Sequence, residues 1–318
     1  MHFIFFGSSE FAEITLKKLL KAQMKPFLVV TNPPKQKGRK HVLAPTPVHL
    51  LAQENNIPIL TPEKLDDQAF INEFEKLKPE LVILTAYGKI IPSRLLDIPT
   101  KGFINLHPSL LPQWRGATPI QSAILNGDKE TGVSLILMDE QVDHGPIIQS
   151  AKYEIQNEKL NYEELSTELA VLGAELIIKT VPQYLREEIF PIPQDHSLAT
   201  YCQKILPKDE KIQWNETCIK IDRKVRALNP QPGVFTKTIN SQGNELILKI
   251  IKGYPGNREC SEKIPGTVFN FNDKLAVKCG EGFYVIEQIK PAGKQTMSSE
   301  NFLRGNGWIL NQVLNNSL

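Results

Sequence analysis

The chain has 318 residues, 41% hydrophobic and 23% charged, an ordinary globular make-up long enough for two domains. No apolar run approaches the roughly 18 residues that would span a bilayer, and Cys202, Cys218, Cys260 and Cys279 lack the C-x-x-C spacing of a zinc site. The net charge of +2 is unevenly split: residues 1–206 carry 21 basic against 24 acidic side chains, and residues 207–318 carry 16 against 11.

The chain opens on His2–Phe6, which reads as a buried first strand. It has no basic n-region or cleavage site, so a signal peptide is not expected. With unpaired cysteines, this points to a reduced, cytoplasmic protein. Further strands are predicted at Phe27–Thr31, Ile57–Leu60, Leu81–Thr85, Phe103–Leu106 and Val133–Met138. They are short, nearly continuous apolar runs, as in parallel strands buried on both faces. Helical spacing fills Glu10–Ala22, Thr46–Asn55 and Leu65–Leu77, and a longer helix over about Leu160–Glu188 should kink or end at Pro182. Strand–helix alternation of this kind predicts an α/β fold with a doubly wound, mostly parallel, Rossmann-like sheet.

From Phe190 the periodicity is lost, and Pro191-Ile192-Pro193 followed by polar residues reads as a linker. The expected division is a catalytic domain over 1–189, a linker over 190–207 and a second domain over 208–318. In the latter, a helix over Asn215–Leu228 and a turn at Asn229–Gly233 precede strands at Glu245–Ile251, Gly266–Phe271, Lys274–Lys278 and Gly282–Ile289. That spacing predicts a small antiparallel β-barrel of OB-like type. The basic surplus of this half is the sign that suits a polyanionic partner.

Ligands of open α/β sheets bind beyond the carboxyl ends of the strands. Gly7-Ser8-Ser9, after the first strand, lacks the G-x-G-x-x-G of dinucleotide binders. Its serines either cap the helix or hold a substrate. The richest segment is Phe103–Ala117. There an amide and an imidazole, Asn105 and His107, stand at i and i+2 and project from the same strand face. After the next strand, Asp139–Gly145 supplies carboxylates. Asn105 and His107 could donate to the oxyanion of an acyl-transfer intermediate, with His107 shuttling a proton and Asp143 orienting its ring. An Asn and a His satisfied by backbone groups is the equally open reading from these residues alone.

The run Asn105-Leu106-His107-Pro108-Ser109-Leu110-Leu111-Pro112, with Arg115-Gly116 behind it, resembles the signature of the 10-formyltetrahydrofolate-dependent formyltransferases. Together with Asp143-His144-Gly145 it resembles that family's catalytic trio, which implies Asn105, His107 and Asp143 as catalytic residues. Tyr87-Gly88-Lys89-Ile90-Ile91-Pro92 resembles the segment along which the family builds its folate pocket. The implied folate contacts are Tyr87, Gly88, Ile90, Ile91, Pro92, Ser109, Leu110, Leu111, Pro112, Asp139 and Val142. The co-substrate implied is 10-formyltetrahydrofolate, and no metal is called for. His144, Trp114 and Gln231 depart from the family pattern, which favours a small residue or Thr, Tyr and Trp at those places.

Arg226–Gly233 and Gly293–Gly305 resemble the C-terminal domain of the tRNA-acting members. The resemblance therefore implies methionyl-initiator tRNA, held by its acceptor stem, as the partner of a monomeric enzyme away from membranes. Thr31–His41 holds four cations in six residues; by itself it reads as a solvated loop, and by resemblance as the loop that enters the acceptor stem. Lys35, Lys37, Arg39, Lys40, Arg223, Arg226 and Arg304 are the implied tRNA contacts, with α-helical Lys220 and Lys224 in the same basic cluster. An amino-sugar nucleotide acceptor, hydrolysis of the donor and a non-catalytic binding role stay open as alternatives.

Overall fold

The computed structural model describes residues 1–37, 42–157, 159–256 and 263–314. In chain order the first part comprises β1 (Phe3–Gly7), α1 (Glu10–Lys21), β2 (Leu28–Val30), β3 (Lys35–Lys37), β4 (Val42–Ala44), α2 (Pro47–Glu54), β5 (Ile59–Leu60), α3 (Gln68–Leu77), β6 (Leu81–Thr85), α4 (Ser93–Leu96), β7 (Phe103–His107), β8 (Arg115–Gly116), α5 (Pro119–Asn126), β9 (Glu130–Leu137), β10 (Ile147–Glu154), α6 (Tyr162–Leu185) and β11 (Tyr201–Cys202). Then follow α7 (Cys218–Leu228), β12 (Val234–Ile239), β13 (Glu245–Gly256), β14 (Val268–Phe271), β15 (Lys274–Lys278), β16 (Phe283–Pro291), β17 (Met297–Ser298) and α8 (Ser299–Gly305). The chain forms two compact units. One holds residues 1–119, 129–156 and 163–203, and the other residues 120–128, 157–162 and 204–318.

A seven-stranded sheet in the order β10-β9-β7-β6-β1-β2-β5 organises the first unit. β5, β2, β1, β6 and β7 run parallel, and β9 and β10 close one edge antiparallel. The Rossmann-like expectation holds. Within this sheet β10 is the strand the sequence reading lacked, because its exposed edge position tolerates polar residues that break a buried apolar run.

Helix α1 starts where Ser9 accepts the N–H of Ala12, relieving one unpaired donor of the first turn. It buries Phe11, Thr15, Leu16 and Leu19, the single face that 3.6-residue periodicity delivers. Below β1 and β6, Phe6 meets Phe74, Tyr87 and Phe103 edge-on with ring centroids 5.2–5.9 Å apart. Burial of each such side chain contributes about 1.5–3 kcal/mol. α6 carries Pro182 in its last turn and ends at Leu185, the ring having removed the N–H that would reach the carbonyl four residues back.

In the second unit, antiparallel strands in the order β12-β13-β16-β15-β14, with β17 beside β16, form the OB-like half-barrel. Thr217 caps α7, whose Ile221, Val225 and Leu228 are buried one and two turns apart. Trp214 is fully buried and donates its indole N–H to Thr236 Oγ1 at 3.0 Å. Cys202, Cys218 and Cys279 are buried thiols; Cys260 lies outside the described residues. Among the described residues no helix is long and apolar enough to cross a membrane.

Candidate active site

At its carboxyl end β7 places Asn105 and His107 on one face, both buried. The loop beyond is pinned by Ser134 of β9, which donates to Ser109 O at 2.8 Å and accepts from Leu111 N at 3.1 Å. Ser109 in turn donates to Gln113 O at 2.6 Å. The turn leaves Trp114 in the left-handed region, at φ 58°, and aims its carbonyl at His107 Nε2, 2.9 Å away. A carbonyl only accepts, so Nε2 carries the hydrogen and Nδ1 is the nitrogen turned to the site.

Asp143 comes from the loop after β9, which Leu137 N closes on Pro146 O at 3.0 Å. Gly145 is needed there, because a Cβ would run into the carbonyl of Leu137. Asp143 also adopts a left-handed backbone, at φ 50°. Its Oδ1 receives Asn105 Nδ2 at 3.2 Å and lies 3.4 Å from His107 Nδ1, and its Oδ2 receives the N–H of Gly116 at 2.8 Å. The carboxylate is 10% exposed, so these donors replace most of its water. Two side chains of β7 thus converge on one oxygen of a carboxylate more than thirty residues further along the chain.

The remaining predicted contacts divide by exposure. Ile90 is 82% exposed and Val142 63% exposed. They present apolar surface on the loops after β6 and β9. Gly88 turns at φ 80° with open space where a Cβ would be, and Pro92, Leu110 and Pro112 are half-buried. Tyr87, Ile91, Ser109 and Leu111 are buried and serve the core and the loop. Burial pushes the Tyr87 phenol well above its ordinary value, so it stays protonated. Both Asp139 oxygens are engaged locally, one by Gln141 N at 2.9 Å and one by His144 Nδ1 at 2.6 Å.

Beyond β1, Ser8 Oγ accepts from Asn32 N and Nδ2 at 3.1 and 2.9 Å, and Asn32 Nδ2 also reaches Tyr87 O at 2.7 Å. Ser9 is therefore the cap, and Ser8 ties the ends of β1, β2 and β6 together.

The basic segment differs from the loop expected. Lys35–Lys37 pairs antiparallel with Val42–Ala44, Lys35 opposite Ala44, because the apolar residues that follow the cations supply a second strand. Lys35 is exposed. Burial, and then the charge of Lys35, lower the pKa of Lys89. Lys37 lies in β3, while Arg39 and Lys40 lie outside the described residues. In the second unit Arg304 is exposed in the last turn of α8. Arg223 instead donates to Asn126 O at 2.9 Å, and Arg226 pairs with Asp222 at 2.7 Å and donates to Leu160 O at 2.8 Å. Lys224 gives its ammonium to Lys211 O at 2.6 Å, and burial lowers its pKa. A count of cations along α7 does not reveal which ones the unit itself consumes.

Sequence reasoning missed Gln194 and His196. Gln194 is buried, receives Arg115 Nη2 at 2.6 Å, and donates to the carbonyls of Asp143 and Gly145 at 2.9 and 2.7 Å. His196 stacks on His144 with centroids 4.1 Å apart and faces Arg115 Nη2 at 2.9 Å. The available signal was the buried-arginine problem: Arg115 follows an apolar loop and needs acceptors from elsewhere. No group of three or more His, Cys, Asp or Glu side chains fit for a metal occurs among the described residues.

A family model described as formyl transferase matches residues 1–181, and one described as its C-terminal domain matches residues 204–307. A protein of Thermodesulfovibrio yellowstonii named methionyl-tRNA formyltransferase is 39% identical over 302 residues, 95% of each chain. A Rickettsia rickettsii protein of the same name is 37% identical over 314 residues, 99% of this chain and 100% of its own. The crystal structure of an N-formyltransferase from Helicobacter canadensis, with folinic acid and dTDP-3-aminofucose, shares the fold at a TM-score of 0.64 and 21% identity. That match covers 93% of this chain and 100% of the other.

Proposed function

The chain belongs to the formyl transferase family, and we propose that it carries the formyl group of 10-formyltetrahydrofolate to the α-amino group of methionyl-initiator tRNA. The acceptor follows from near-full-length relatives that bear the name methionyl-tRNA formyltransferase. The observation that carries the chemistry is the convergence of Asn105 and His107 on Asp143 Oδ1.

An amine that adds to a formyl carbon builds a tetrahedral centre with a negative oxygen. The bond from that carbon to the donor nitrogen then breaks. One proton must leave the amine and one must reach the donor nitrogen. Asn105 Nδ2 supplies a fixed N–H to the oxygen, in a site already drained of most water. His107 Nδ1, its partner nitrogen being held by Trp114 O, takes the proton from the amine and returns it to the donor nitrogen. Asp143 stabilises the imidazolium that exists between the two transfers. Ile90, Val142 and the Gly88 turn form the side on which the folate ring is received. Lys35 and its hairpin, with Arg39, Lys40 and Arg304, meet the tRNA backbone of a monomeric, cytoplasmic enzyme.

The test is formyl transfer from 10-formyltetrahydrofolate by purified protein, offered methionyl-initiator tRNA, methionyl-elongator tRNA and a UDP-amino sugar. Preference for the initiator is expected. Transfer to the sugar alone, or donor hydrolysis without an acceptor, would overturn the proposed acceptor.

A further inference from the structure

Arg115 is 2% exposed, and neutral atoms meet its guanidinium. Gln194 Oε1 receives Nε at 3.2 Å and Nη2 at 2.6 Å, and His196 Nδ1 lies 2.9 Å from Nη2. A guanidinium only donates. His196 Nδ1 therefore accepts, and in this arrangement the ring is neutral with its hydrogen on Nε2. The Gln194 amide spends both of its hydrogens on Asp143 O and Gly145 O. Arg115 is flanked by the two residues that touch the trio: Trp114 O holds His107, and Gly116 N holds Asp143. One circuit of hydrogen bonds thus runs from His196 through Arg115 and Gln194 to the backbone that aims the carboxylate.

We propose that Gln194 and His196 are positioning residues for the transfer reaction, and that His196 does this work only as a neutral imidazole. Protonation would put a hydrogen on Nδ1, turn an acceptor into a donor facing Arg115, and release one bond of the clamp. Arg115 faces the ring from β8. His144 lies parallel above it, 6° from coplanar, with Asp139 on the far side. Asp195, on its own segment, has its carboxyl held below the usual range by the hydroxyl and N–H of Ser197, and it also interacts electrostatically with His196. The His196 ring thus bridges Arg115 and the His144 stack.

The inference rests on Asp143 acting in transfer. Its test is kcat and KM against pH for the full chain and for His196→Ala, His196→Asn and Gln194→Ala. The asparagine side chain offers an acceptor near the place of Nδ1 and does not titrate. His196→Ala should lower kcat about 10-fold, as a small misplacement of reacting groups does, with KM for either substrate changed by less than about 2-fold. His196→Asn should restore kcat to within about 2-fold. Wild-type kcat in His196→Ala would overturn the inference. Should Gln194→Ala fail to fold, the His196 pair decides, since that side chain is at the surface. Full turnover by Asp143→Ala would instead sink the underlying assignment, and a dead Asp143→Ala beside an unaffected His196→Ala sinks this one alone.

Discussion

The backbone N–H of Gly116 meets Asp143 Oδ2 at 2.8 Å, so the carboxylate of the trio is held by a group that no substitution but proline deletes. What a substitution can do is move it. Gly116 sits at φ 116°, and a Cβ there would run into the carbonyl of Cys202 on β11. Gly116→Ala is expected to cost about 2 kcal/mol or more of stability, from backbone strain and lost pairing. Turnover should fall with it. Urea unfolding and kcat measured together check this; a variant as stable and as fast as the parent refutes the fit argued for β8.

Asn105→Ala should lower kcat by roughly 10²-fold, the scale of losing one fixed donor to an oxyanion, and His107→Ala by roughly 10²-fold or more, the scale of losing a general acid–base group. Circular dichroism would establish that the variants are folded. A folded His107→Ala enzyme with full turnover contradicts its role.

The placement of Asn105 and His107 on one face was legible in the sequence because strand alternation is local and the loop after each strand is where an α/β sheet places its chemistry; their role came only with the family resemblance. The core strands were legible for the same reason: continuous apolar runs have one destination. β10 was not, since an edge strand satisfies its ladder without an apolar pattern. Nor was the hairpin at Lys35, whose partner strand lies beyond the cations that drew attention. Gln194 and His196 escaped because their role depends on contacts across 79 and 81 residues to Arg115, while their neighbourhood, rich in proline, reads locally as linker.

Removing two cations of the basic segment, Lys35→Ala with Arg39→Ala, should raise KM for tRNA and leave folate binding unchanged. The salt dependence of tRNA binding should become shallower, because fewer counterions are released. Titrations at several ionic strengths read this out. Loss of folate binding in a folded double variant would show that the hairpin serves the donor instead.

Burial pushes the Cys279 thiol up to about 12 and raises that of Cys218 as well. Above the ordinary thiol range the unfolded chain sheds these protons while the folded one keeps them, so stability falls as pH rises. The contribution is fully present below about pH 8.5 and is lost by about pH 12. Urea midpoints should therefore decline over that window, less steeply in Cys279→Ala. Neither thiol should react with iodoacetamide in the native protein at pH 8.

The parallel pairing of Tyr201 with Arg115 and of Cys202 with Gly116 bears on how this enzyme can be cut and rejoined. The two family matches leave residues 182–203 between them, and that interval carries the clamp on Asp143. A chimera that takes its second half from a relative should be spliced after Gln203. One spliced at 181 would inherit the whole trio and import a stranger's hold on it.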